Sequence, residues 1–248
     1  AKYRSSITVI SCVFFYCSRW YRFQYHHRAN RGLRWKAVYT LIEPPRYLAP
    51  RTGWESHSQV QQDTVIHSMW HEPGYFVDLA ANDWQKLSNS YSLEIYGGWK
   101  GMCIEPNTKY WDGLLQRACE LIGVVVTDKE DKLVRFALRD ELGGVVDEHT
   151  DNPHIQPETK TIEYASTTVE VIFSRFNVPK LIHYMSVDVE GAESMIISTF
   201  PFQEYKVYIF TIERPKRDVL RTLERQGYVE VGILGSFGDT CYLHRSTP

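Results

Sequence analysis

From residue 75 onward, short apolar runs alternate with stretches whose apolar positions recur every three or four residues. The runs at 75–80, 101–105 and 123–127 predict strands, and the stretches between them, 87–96 and 110–119, predict helices. A shorter extended piece follows at 133–138, and then a loop rich in Gly, Asp and Pro at 143–159, which reads as an active-site lid. The alternation resumes with a helix at 168–176, a strand at 182–187, a helix from Ala192, a strand at 207–212 and a helix at 218–226. Two last runs, 229–234 and 241–244, flank a segment containing Gly235 and Gly238 and predict an antiparallel hairpin. Strand and helix in strict alternation predict an α/β fold, a mostly parallel doubly wound sheet closed by a C-terminal antiparallel hairpin.

Before residue 56 the pattern changes. An apolar run at 7–17 is too short for the roughly 20 residues that span a bilayer, and residues 18–55 mix Arg, aromatics and three prolines without a sustained period. This divides the chain into a basic N-terminal extension, 1–55, and a folded domain, 56–248. The overall charge of −2 hides the contrast: the extension carries ten Lys and Arg against two acids, the remainder 18 against 28. The extension reads either as a targeting or anchor segment giving membrane association, or as a loosely packed arm, with the domain cytoplasmic or membrane-associated. The acidic body argues against a nucleic-acid partner. Five dispersed cysteines without a CxxC pair indicate neither a zinc site nor a disulfide framework, and Cys103 and Cys119 read as small buried hydrophobes.

Ligands of open α/β sheets bind beyond the carboxyl ends of the strands, and those ends are acidic here. They carry Asp78 and Asp83, Glu105, Asp128, then Asp188, Glu190 and Glu193, and finally Glu213. The first loop, 80–85, has no glycine and adds an acid, which disfavours a pyrophosphate-bearing dinucleotide. A sulfonium cofactor with a free ribose suits such a site, since a carboxylate such as Glu105 can accept from both ribose hydroxyls. Asp188 and Glu190 share one face of an extended chain, and Glu193 falls where it can cap the following helix. These carboxylates offer hard oxygen ligands, yet no metal is assigned to them.

Several ordered blocks resemble the FkbM-type methyltransferases. They are 58–63, from Ser58 to Asp63; 76–83, with Ser88, Asn89, Ser90, Leu93 and Glu94; 98–107, with Tyr110; 185–193; Phe200, Pro201 and Phe202; and Ile212, Glu213 and Arg214. The resemblance implies a Rossmann-like class I methyltransferase fold, S-adenosyl-L-methionine as cofactor, and usually O-methylation of a small-molecule or glycan hydroxyl. Carried over by position, Asp78, Ala81 and Asn82 would line the methionine side of the cofactor, with Ala80 in the same cofactor-binding loop. Glu105 would hold the ribose, Asp128 would approach the adenine, and Asp188 and Glu190 would be the catalytic floor facing the methyl group. His149 and His183 are further candidate bases, His183 reading as core and His149 as a solvated loop residue. Ala80 and Trp84 depart from the family by standing where glycines are common. With the basic arm, they motivate a second reading beside the methyltransferase one, a non-catalytic module acting in protein binding or secretory trafficking.

Overall fold

The computed structural model describes residues 21–24, 38–41 and 52–248. The apolar run at 7–17, with Cys12 and Cys17, lies outside them. Twelve strands build two sheets: β1 Tyr21–Gln24, β2 Val38–Leu41, β3 Tyr75–Leu79, β4 Lys100–Ile104, β5 Glu120–Ile122, β6 Leu133–Ala137, β7 Gly144–Val145, β8 Thr161–Ala165, β9 Leu181–Val187, β10 Lys206–Ile212, β11 Tyr228–Leu234 and β12 Asp239–His244. The helices are α1 Gln62–Met69, α2 Tyr91–Ile95, α3 Trp111–Leu114, α4 Val169–Arg175, α5 Glu193–Ser198 and α6 Arg217–Arg225.

The main sheet runs β1-β2-β5-β4-β3-β9-β10-β12-β11. Its centre, from β5 to β10, is parallel, and β12 and β11 close it as the expected antiparallel hairpin. Because successive side chains of a strand point to opposite faces, each central strand feeds two cores. Val77, Met185 and Phe210 join α4, α5 and α6 on one face. Phe76, Tyr184 and Ile209 join α1, α2 and α3 on the other. The strand order reverses between β3 and β9, and such a reversal opens a crevice at the carboxyl ends of those two strands.

The structure corrects the expected elements in four places. The third parallel strand is β5 at 120–122, not the valine run at 123–127. That run leaves the main sheet: Val125 accepts from the Thr167 amide at 2.9 Å, and the Thr127 amide donates to Thr167 at 2.9 Å. Apolar content predicts its burial, but does not choose which sheet it pairs with. The helices after β3 and β4 are shorter than expected, because Leu87 takes a left-handed φ of 58° and a 3₁₀ turn, Thr108–Tyr110, precedes α3. The region between β5 and α4 is a second, antiparallel sheet of order β7-β6-β8 around Phe136 and Tyr164, and only its first strand was legible as such. Within the stretch read as an irregular linker, β1 and β2 pair antiparallel, and β2 continues onto the β5 edge. Among the described residues no helix is long and apolar enough to cross a membrane.

The opposite edge is β11. Val229, Val231 and Ile233 are exposed along it, and a β-bulge interrupts its pairing with β12 between Glu230 and Gly232.

The cysteine reading also needs correction. Cys103 and Cys119 are buried, and they form a disulfide, 16 residues apart in sequence with Cα atoms 5.9 Å apart. Parallel pairing of Cys103 with Leu121 brings the segment before β5 alongside β4, a proximity invisible in sequence spacing. Cys241 is free and buried. Closing a loop of this length removes conformational freedom from the unfolded chain worth about 3 kcal/mol. The double variant Cys103→Ala/Cys119→Ala is therefore expected to unfold at lower urea concentration, with a stability loss of about 3 kcal/mol by linear extrapolation.

Candidate active site

A cavity of about 300 Å³ occupies the crevice, walled by the ends of β3, β4, β9 and β10 and by the insert between β5 and α4. Asp78, Ala80, Ala81, Asn82, Glu105, Asp188 and Glu190 all line it. Asp128 does not; Val124, Val125 and Val126 form that wall instead.

After β3 the chain turns back onto β4, with the amides of Ala80 and Ala81 donating to the Ile104 carbonyl at 3.0 and 3.1 Å. The turn needs a left-handed residue at two places, Ala80 with φ 66° and Asn82 with φ 53°. Asn tolerates this conformation, whereas a Cβ on Ala80 costs roughly 1 kcal/mol relative to glycine. The family departure at position 80 is thus borne as backbone strain rather than as a different turn. Trp84 is turned away from the cavity. Its ring meets Tyr91 edge-on at 5.6 Å and lies over Gly113, whose missing side chain makes room for it.

The turn delivers the Asn82 amide to Glu105 Oε2 at 2.8 Å, while the Asn107 amide donates to Oε1 at 2.6 Å. Each carboxylate oxygen is fixed by one backbone N–H and keeps a lone pair for a ligand. Burial raises the Glu105 carboxyl to about 7, the two amides opposing it and Asp78 adding to it. Pro106 accepts from Tyr164 at 2.6 Å, which ties the small sheet to this strand end.

Asp78 is held from beneath. Ser90 Oγ donates to it, and the same hydroxyl accepts from Arg117 Nη2 at 3.0 Å. Burial raises the Asp78 carboxyl, with Ser90 and Arg117 working against it. Arg117 is itself buried, paired with Glu94 at 3.2 Å and donating to Ser88 at 3.2 Å. Neither Arg117 nor Glu94 stands out in sequence as a partner of Asp78. Glu94 falls in a block that resembles the family, but nothing in that block pairs it with Arg117.

At the end of β9, Asp188 and Glu190 meet Glu213 and Arg214 from the end of β10. Arg214 Nη2 lies 2.7 Å from Glu213, 2.7 Å from Asp151 and 3.2 Å from Glu190. Among the described residues, Asp151, Glu190 and Glu213 are the carboxylates close enough to share a cation, and the guanidinium is the cation against them. Burial, followed by Glu213, Glu190 and Asp239, holds the Asp188 carboxyl well above the usual range. A side-chain hydrogen bond with Glu213 adds to that rise. Burial and then Glu213 raise Glu190 to about 7, with Arg214 opposing. Glu190 and Arg214 hold left-handed φ values of 53° and 40°, so strain gathers at this end of the sheet. Sequence reasoning placed Glu213 at a strand end but gave neither it nor Arg214 a role.

Glu193 opens α5 but does not cap it with a hydrogen bond: it accepts from the Val189 and Gly191 amides of the preceding turn at 3.2 Å each and braces that turn. His183 accepts from the Tyr75 amide at 3.0 Å among Trp70, Trp99 and Tyr208, and His149 is exposed beside Glu148. Neither lines the cavity. The block at 58–63 acts through Asp63, which accepts from Ser56 at 2.6 Å, from Ser58 at 2.7 Å and from the His57 amide at 2.8 Å.

Two measurements check these electrostatics. Removing one partner of a buried ion pair strands the other, so Arg117→Met is expected to cost about 3–5 kcal/mol in chemical denaturation, and adding Glu94→Gln to recover part of the loss. Glu105, Glu190 and Glu193 hold their protons to about 7 when folded, against 4.5 ordinarily, so the folded state binds more protons between those values. Stability contributed by these groups is complete below pH 4.5 and falls as pH rises to 7, so Tm measured from pH 5 to 7 should decline less steeply in Glu105→Gln than in the native chain.

A comparison with curated proteins finds no match. Among solved structures, the precorrin-6y C5,15-methyltransferase of Geobacter metallireducens GS-15 is similar at 11% identity, over 77% of this chain and 92% of that one, with a TM-score of 0.38. A family profile for the methyltransferase FkbM domain matches residues 77–230, the stretch that contains every strand end described above, and the chain belongs to that family of methyltransferases.

Proposed function

We propose that the domain transfers the methyl group of S-adenosylmethionine to a hydroxyl oxygen of a small molecule or glycan. Glu105 carries the reading: a buried carboxylate whose two oxygens are each oriented by one amide and each keep a lone pair matches the paired hydroxyls of a ribose. Val124, Val125 and Val126 offer an apolar wall for a flat base, and Asp78, Ala80, Ala81 and Asn82 would flank the amino-acid end. The bound cofactor would supply an activated methyl group on a sulfonium.

For the chain itself, the task is alignment and one proton transfer. Transfer of that methyl group to a hydroxyl would leave the S–CH₃ electron pair on sulfur and release the hydroxyl proton, which the chain must accept. Glu190, at about 7, is matched to receive that proton near neutral pH, and Asp188, raised by burial and by Glu213, lines the floor beside it. Glu213 and Arg214 fix Glu190 and hold the insert down through Asp151.

Calorimetric titration of S-adenosylmethionine and S-adenosylhomocysteine tests the cofactor site. Micromolar binding is expected, weakened at least tenfold in Glu105→Ala and rising with pH from 6 to 8 as the carboxyl ionises. Absence of binding by folded protein, or an unchanged affinity in the variant, would overturn the assignment.

A further inference from the structure

The mouth of the cavity differs from its floor. Leu87, Leu142 and Phe237 are 41%, 53% and 52% exposed, and all three line the cavity that holds Asp188 and Glu190. They arrive from three separate places: the loop after β3, the turn Asp140–Leu142 in the insert, and the β11–β12 turn. A large apolar side chain gains from burial, so three that converge at one opening while half-exposed await a covering surface. Leu87 is presented at a cost. Its φ of 58° is unfavourable for a bulky side chain, and the residue is pinned there by a parallel bridge to Ser58.

The charges around the cavity narrow the chemistry further. Among the lining residues Arg214 is the one base, and it is held by three carboxylates. Asp140 and Glu141 of the insert are paired outward with Lys109 and Lys86. An anionic acceptor would meet an acidic floor with no cation free among the lining residues. A free sugar at the opening would set hydroxyls against Leu87, Leu142 and Phe237, side chains that offer them no partner, which is unfavourable.

We infer that the methyl acceptor is an uncharged amphipathic alcohol or phenol, its hydroxyl at the acidic floor and its alkyl or aryl body against Leu87, Leu142 and Phe237. This rests on the cofactor reading above and narrows its acceptor class. The experiment saturates the protein with S-adenosylhomocysteine and titrates 4-butylphenol, methyl glucoside and 4-hydroxybenzoate by calorimetry. The phenol is expected to bind one-to-one and at least tenfold more tightly than the sugar or the anion. In the double variant Leu142→Ser/Phe237→Ser its affinity should fall at least tenfold, while that of S-adenosylhomocysteine stays within twofold. Equal or tighter binding of the sugar or the anion, no binding of the phenol, or a variant that binds it normally would overturn the inference. Failure of S-adenosylhomocysteine itself to bind would instead remove the cofactor reading, and this inference with it.

Discussion

A guanidinium out of reach of water must find all its partners within the protein, and Arg117 is such a group. Its side chain is 1% exposed and its partner Glu94 4%, so neither charge can fall back on solvent. Satisfying Arg117 brings α2, which carries Glu94, against the segment before β5, and draws in Ser88 and Ser90. Ser90 in turn holds Asp78 at the end of β3. The loop after β3 is thus anchored beneath the cavity, and this is where the chain tolerates a left-handed Ala80. The Cys103–Cys119 disulfide secures the same segment two residues further on.

Above that anchor the site divides its carboxylates by environment. Glu105 is held by amides, Glu193 by the turn that precedes its helix, and Asp188 lies beside Glu213 while Arg214 offsets Glu213 and Glu190. Asp188, Glu190 and Glu213 at neighbouring strand ends would repel one another if all were ionised. Giving Arg214 three carboxylate partners offsets that repulsion, and it also fastens the insert, through Asp151, to this end of the sheet.

What the sequence reveals follows from the range of each signal. Apolar runs ending in Asp78, Glu105 and Asp188 are local, so the strands and their acidic ends could be read directly, as could the closing hairpin around Gly235 and Gly238. The valine run at 124–126 resembles a central strand as closely as β5 does, and only long-range pairing with Thr167 separates them. The disulfide, the Arg117–Glu94 pair and the direction taken by Trp84 each depend on segments brought together by sheet register. The left-handed φ of Ala80 comes from the turn onto Ile104 and has no trace in the residue's identity.

The β11 edge has a bearing on behaviour at high concentration. Among the described residues β11 is an edge strand, and one carrying Val229, Val231 and Ile233 in the open is a template on which another chain could extend the sheet. The bulge between Glu230 and Gly232 bends and over-twists that edge, and Glu230 places a charge beside it. A second copy laid along β11 would meet that bend halfway, so the irregularity that interrupts the hairpin works against edge-to-edge pairing there.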